Sequence, residues 1–204
     1  MDQVASDAAL LFNALITEMS EELQTISNGK SRDDLSPSER RMYVRSIFAL
    51  IEALIFSMKQ MALSFHPDHK CETISEAERA FAQEQTYRLT DSGDVEVHRN
   101  KISLETNIKF SFKLFGKAGY VTSNLDTSGS EWQAFKTSIK VRDRVTHPKS
   151  VSDLSISNEE LGHVFKSFGW LNISFAGLFT QILNGIAHRA SQSQTEQQHS
   201  GNVV

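Results

Sequence analysis

A chain of 204 residues with 39% hydrophobic and 23% charged side chains has the composition of a globular protein built on one core, and its formal charge of −4 excludes a globally basic surface that coats nucleic acid. The single cysteine, Cys71, excludes an intramolecular disulfide framework, and the acidic residues spread through MDQVASDAALLFNALITEMSEEL do not make the basic-then-apolar profile of a secretory leader. The longest apolar runs, 47–55 and 171–183, are broken by Glu52 and by Asn172, Ser174, Thr180 and Gln181, short of the ~20 apolar residues of a membrane span, so the expectation is a cytoplasmic protein with no membrane contact.

In chain order, the first predicted helix covers residues 3–26, and SNGKSRDDLSPS makes an exposed connection after it. In SPSERRMYVRSIFALIEALIFSMKQMALSF, Ser36 as N-cap, Pro37 at the first helical position and Glu39 three residues after the cap form a start signal. Val44, Ile47, Phe48, Ile51, Leu54, Ile55, Met58, Met61 and Phe65 follow at helical spacing, and the helix should stop near Phe65, before Pro67. The next segment, HPDHKC, groups His66, His69 and Cys71 with Asp68, residue types that ligate metals. It lacks a second half such as a further CxxC or HxxxH, so it reads as a polar loop and no metal is assigned.

A helix is expected over 76–88. RLTDSGDVEVHRNKIS then breaks the helical period, with Ser-Gly in a turn context and alternating Val95 and Val97, a pattern that fits a small β-hairpin. Another helix covers 104–117, with Gly116 and Gly119 as stops. SGSEWQAFKTSIKVRDRVTHP starts at Ser128 or Ser130, carries Trp132, Phe135 and Ile139 as its apolar stripe, and ends before Pro148. The last helix covers 158–190, capped by Ser157 with Glu160 as reciprocal partner. Its glycines, Gly162, Gly169, Gly177 and Gly185, cost ~1 kcal/mol each relative to alanine and imply close helix approach or a bend. Residues 191–204 are too polar to offset the entropy of ordering and read as a disordered tail behind a single domain, 1–190. Phe165, Trp170 and Phe179 flank the main stripe of the last helix, which predicts an apolar patch that meets itself in a C2 homodimer.

The run KVRDRVTHPKS, 140–150, raises the functional question. Between Lys136 and Lys149 five basic side chains oppose only Asp143, a local cationic surface on an acidic protein. Advancing about 100° per residue puts Arg142 near the centre of the Phe135/Ile139 stripe and Arg144 on roughly the opposite face. Arg144 is then a solvated charge, whereas Arg142 points to the packed side and needs a carboxylate, a phosphate or a wet cleft. Asp143 and His147, four apart, are neighbours, so the carboxylate is placed to orient the imidazole. A helix C-terminus also favours Arg, Lys and His through the macrodipole, which leaves a purely structural reading open. Glu52, among apolar residues of the second helix, has Arg45 or Arg142 as candidate partners.

Arg142, Asp143 and His147, an arginine, a polar residue and a spaced histidine, resemble the motif of the HEPN family (higher eukaryotes and prokaryotes nucleotide-binding domains). Its place before the last long helix, and the earlier helix with YVRSIFALIEALI, are similar to that bundle. The resemblance implies an all-α, HEPN-like antiparallel bundle of about five to six helices with the hairpin inserted. It also implies a metal-independent endoribonuclease acting at a homodimer cleft, of the toxin or phage-defence kind, with RNA as substrate, an antitoxin or inhibitor protein as partner and no cofactor. His147 would move the proton of the attacking 2′-hydroxyl, Arg142 would hold the phosphate, Asp143 would orient the pair, and Lys136, Lys140 and Lys149 would bind RNA. Members that keep the bundle and lose catalysis make a non-catalytic nucleotide- or protein-binding module the alternative.

Overall fold

The start signal at Ser36 forms as written: Ser36 Oγ accepts the Glu39 N–H at 3.4 Å and the Glu39 carboxylate accepts the Ser36 N–H at 2.7 Å. It opens α2 (Pro37–Ser64), the central helix of the computed structural model, which describes residues 3–65 and 74–200. Around it stand α1 (Gln3–Ser27), the short α3 (Glu76–Ala82), α4 (Leu104–Ala118), α5 (Ser130–Thr146) and α6 (Asn158–Ser200). Between α3 and α4, β1 (Gln85–Leu89) and β2 (Val95–Arg99) make an antiparallel hairpin in which Tyr87 faces Val97 and Leu89 faces Val95. Among the described residues the architecture is therefore a helical bundle with one two-stranded sheet.

The apolar stripe of α2 decides the packing. Val44, Ile47, Phe48, Ile51, Leu54, Ile55 and Met58 are buried against α1 on one side and α4, α5 and α6 on others. Each such side chain contributes about 1.5–3 kcal/mol by leaving water. By length and composition α2 would pass for a membrane span, with a mean hydropathy of 1.5 in its most apolar window, but 67% of that window is buried inside the bundle. α5 lies along α6, where Trp132 meets Trp170 at 5.7 Å and Ser167 Oγ donates to Ser138 Oγ at 3.3 Å.

Several expectations are corrected. The helix read over 76–88 ends at Ala82: Glu84 takes a left-handed φ of 58°, and Thr86 and Tyr87, a β-branched and an aromatic residue, pair with His98 and Val97 in the hairpin instead. α6 runs past Ala190 to Ser200. Gly169 and Gly177 do not mark close helix approach, since a Cβ added at either would meet nothing within 4 Å. The close approach is at Gly119, the end of α4, where a Cβ would lie 2.5 Å from Ile182 Cγ1 of α6. The aromatics of α6 expected to face a second chain are engaged within their own: Phe165 stacks on Tyr43 at 4.7 Å, Phe179 stacks on Phe115 at 6.3 Å, and Trp170 meets Trp132 edge-on.

Candidate functional site

The last turn of α5 leaves carbonyls without helical partners, and an arginine of α2 meets one of them while two more meet carbonyls of the chain that follows. Arg45 donates to the Val145 carbonyl at 2.6 Å, Arg41 to Leu154 at 3.2 Å and Arg40 to Ile156 at 3.0 Å. The first half of α2 thus clamps the whole α5–α6 connection, including the short 3-10 turn Val151–Leu154, which is itself fixed by Asp153 accepting the N–H groups of Lys149 and Ser150 at 2.7 and 3.0 Å. Arg45, one of the two candidate partners for Glu52, serves this clamp.

Arg142 is the partner Glu52 takes, at 3.2 Å. As the helical phase requires, it turns toward α2, its guanidinium carbon 5.1 Å from the centre of the Phe48 ring and its side chain 24% exposed. Asp143 approaches Arg142 Nε at 3.1 Å, yet the geometry is that of an ion pair only, and the buried Nε–H has no hydrogen-bond acceptor among the described residues. The Asp143 carboxylate expected to orient the histidine is therefore engaged on the arginine; Asp143 is joined to His147 through the backbone, whose N–H donates to the Asp143 carbonyl at 2.9 Å. Arg144 is on the other side, as expected, but is not simply solvated: it pairs with Glu160 of α6 at 2.7 Å.

His147 leaves helical dihedrals ahead of Pro148, with φ −125° and ψ 59°, and is exposed. Lys136 and Lys140 lie within about 40° of it in helical phase, the first half-buried and the second exposed, so the three share one outer stripe of α5, and Lys149 is exposed beyond the helix. His66, His69 and Cys71 lie outside the described residues.

Arg142 also opens onto a cavity of about 660 Å³. Glu52, Phe56 and Arg142 form its helical side, while Glu84, Arg99 and Lys101 come from the ends of the hairpin. None of His147, Lys136, Lys140 and Lys149 lines it. Behind it, the fully buried ammonium of Lys59 is held by Glu84 at 3.0 Å and by Asn107 at 3.3 Å, and Glu84 also receives Arg99 at 3.0 Å. The Lys59 hydrogen bond, with that of Arg99, holds the Glu84 carboxyl below its ordinary range against the opposing effect of burial.

Phe56, Glu84, Arg99 and Lys101 were not legible as a site because they come from three separate elements. Two traces existed: Phe56 falls outside the apolar stripe of its helix, and HRNK, 98–101, is a second short basic run. Compared with known proteins, the chain matches no family model, no curated protein and no solved structure.

Proposed function

We propose that this protein is a metal-independent endoribonuclease of the HEPN type, in which Arg142, Asp143 and His147 of two chains meet at one cleft of a homodimer. The observation that supports it is the division of labour along α5: Arg142 is held inward over Phe48 on the wall of a cavity, while His147 ends the same helix exposed, on a segment fixed by three arginines of α2. Histidine titrates near neutral pH and suits proton transfer, and a guanidinium offers a planar fork of donors to phosphate oxygens. In the reaction the ribose 2′-oxygen attacks the adjacent phosphorus, the bond to the 5′-oxygen breaks, and the 2′-hydroxyl proton passes to His147 while the leaving 5′-oxygen takes a proton from water. The products carry 2′,3′-cyclic phosphate and 5′-hydroxyl ends. A role as a toxin or phage-defence effector, restrained by an inhibitor protein, follows from the same reading.

The Arg142–Glu52 pair favours a second reading. An arginine satisfied by a carboxylate of its own chain suits a non-catalytic helical module that binds a nucleotide or a protein. Glu52 is 53% exposed, however, and makes one contact with the guanidinium, so a phosphate can compete for it.

Incubation of the purified protein with mixed RNA, with and without EDTA, tests the first reading. Cleavage should persist in chelator, and His147→Ala should lower it by about 10²- to 10⁴-fold with the melting temperature unchanged. No cleavage by inhibitor-free protein, or light scattering that shows only monomer, leaves the binding module as the better account.

A further inference from the structure

The cavity beside Arg142 contains groups that phosphodiester cleavage by Arg142 and His147 does not use. Phe56 lies one turn after Glu52 on α2 and remains 45% exposed on the cavity wall, although its neighbours Leu54, Ile55 and Met58 are buried. The chain leaving β2 contributes Arg99, Asn100 and Lys101 in succession, and Asn107 comes from the first turn of α4.

The charge of this space is positive. Three cations line it, Arg99, Lys101 and Arg142, and buried Lys59 stands behind Glu84. Both lining carboxylates are already paired, Glu84 between Lys59 and Arg99, and Glu52 with Arg142. Lys101 makes no ion pair among the described residues, so one lining cation is available to an incoming anion; the Arg142 Nε–H is buried beside the Asp143 carboxylate and leaves the terminal nitrogens of the guanidinium to meet a ligand. An aromatic face with cations and side-chain amides around it is the combination that takes an unstacked nucleotide: the base stacks on the ring, arginine and lysine meet the phosphate, and amides reach the base edge. A space of about 660 Å³ lies in the usual range of small-ligand sites.

We infer that this cavity is a nucleotide subsite that takes one unpaired nucleotide of single-stranded RNA, with its base on Phe56 and its phosphate between Arg142 and Lys101. The identification of the ligand as RNA rests on the ribonuclease reading; the recognition of an unpaired nucleotide rests on the cavity itself. Because Arg142 belongs to both, the captured nucleotide neighbours the scissile phosphate, and a base held in a duplex stack cannot enter. The substrate class is therefore single-stranded RNA.

Fluorescence anisotropy with a labelled single-stranded RNA oligonucleotide, on full-length His147→Ala protein so that no substrate is consumed, reads binding separately from cleavage. Phe56→Ala should weaken binding about 10-fold, the effect of losing one stacking ring. Lys101→Ala should weaken it less and lower the slope of log affinity against log salt by about 0.7, one phosphate contact on a single strand. The same RNA annealed into a duplex should bind at least 10-fold more weakly, as a consequence of the ~1–3 kcal/mol of base stacking it cannot make. Competition by a free nucleoside monophosphate at millimolar concentration should displace the oligonucleotide partially; complete displacement at micromolar concentration would make the ligand a free nucleotide and overturn the RNA assignment. Binding unaffected by Phe56→Ala and Lys101→Ala, or lost instead with Lys140→Ala, overturns the subsite. If the wild-type protein cuts no RNA yet Phe56→Ala still weakens binding, the ribonuclease reading fails and the subsite stands.

Discussion

The helical wall of the cavity, Glu52 and Phe56 of α2 with Arg142 of α5 over the buried Phe48 ring, stands on the bundle core, whereas the wall made by Glu84, Arg99 and Lys101 hangs from a hairpin whose strands are exposed along almost their whole length. A two-stranded hairpin with both apolar faces wet is marginal by itself. It is tied to the bundle at its base: Glu84, in a left-handed conformation at the junction of α3 and β1, accepts from buried Lys59, accepts from Arg99, and receives the Asn100 N–H on its carbonyl at 2.7 Å. The helical wall owes its geometry to many apolar contacts and tolerates loss of any one polar group. The hairpin wall depends on one carboxylate.

Glu84→Ala is therefore the substitution with the largest expected effect. It leaves the Lys59 ammonium buried with Asn107 as its remaining partner, which should cost about 3 kcal/mol, the lower end for breaking a buried pair. For a chain of this size that lowers the melting temperature by roughly 6–12 °C. Lys59→Met in the same background should restore most of the loss, because the stranded charge, and not the hairpin contact, carries the penalty. If the double variant stays as unstable as the single one, the penalty lies in the lost Glu84–Arg99 anchor of the hairpin and not in the stranded Lys59 charge. The pH dependence has a defined direction. The Glu84 carboxyl is held below its ordinary value of 4.5 in the folded protein, chiefly by Lys59, so the stability it contributes is complete above about pH 5 and is lost as pH falls through the lowered folded value. The difference in unfolding free energy between wild type and Glu84→Gln should accordingly shrink on acidification, and a constant difference would mean that Glu84 does not titrate with folding.

The contrast also explains which parts were legible in the sequence. α2 announced itself because a capping box, an N1 proline and a helical apolar stripe all say the same thing within thirty residues. The inward turn of Arg142 and the terminal position of His147 followed from local phase and from Pro148, both properties of one helix. The hairpin wall was not legible, because Glu84, Lys59 and Asn107 are brought together only by tertiary packing across three elements. Local propensity favoured continuing α3 through Gln83 and Glu84; the left-handed turn at Glu84 is selected by the pairing of Thr86 and Tyr87 with a strand ten residues away. The aromatics of α6 misled for a related reason. Their positions beside the stripe look surplus to one helix, and only the arrangement of Tyr43, Phe115 and Trp132 shows that the bundle itself uses them.

On the helical wall, Arg142→Ala removes two partly exposed ion pairs, with Glu52 and Asp143, and a cation over the Phe48 ring, each worth at most about 1 kcal/mol, so the stability loss should be about 1–2 kcal/mol. RNA cleavage, if it occurs at this centre, should fall by at least about 10²-fold, as expected on losing a donor to the charge of the transition state. Arg142→Lys should recover most of the stability and little of the activity, since an ammonium can sit over the ring but cannot span phosphate oxygens with a planar fork. A parallel loss of stability and activity in both variants would reduce Arg142 to a structural ion pair.

Arg144→Ala should have the smallest effect. Its guanidinium pairs with Glu160 at 2.7 Å, both side chains about one-third exposed, and Glu160 keeps its second task without it: the same carboxylate group accepts the Ser157 N–H at 2.9 Å and closes the cap of α6. Loss of the arginine therefore removes a solvent-screened pair and leaves the helix start intact, a cost of about 0.5 kcal/mol. A double-mutant cycle with Glu160→Gln, read by chemical denaturation, should return a coupling of the same size that declines in high salt. Cleavage should be unchanged, because Arg144 turns from α5 to α6 while the cavity lies between α2, α5 and the hairpin. Equal loss of cleavage from Arg144→Ala and Arg142→Ala would mean that the reacting phosphate is held on the α6 side of the helix, and the cavity would then have no part in the chemistry.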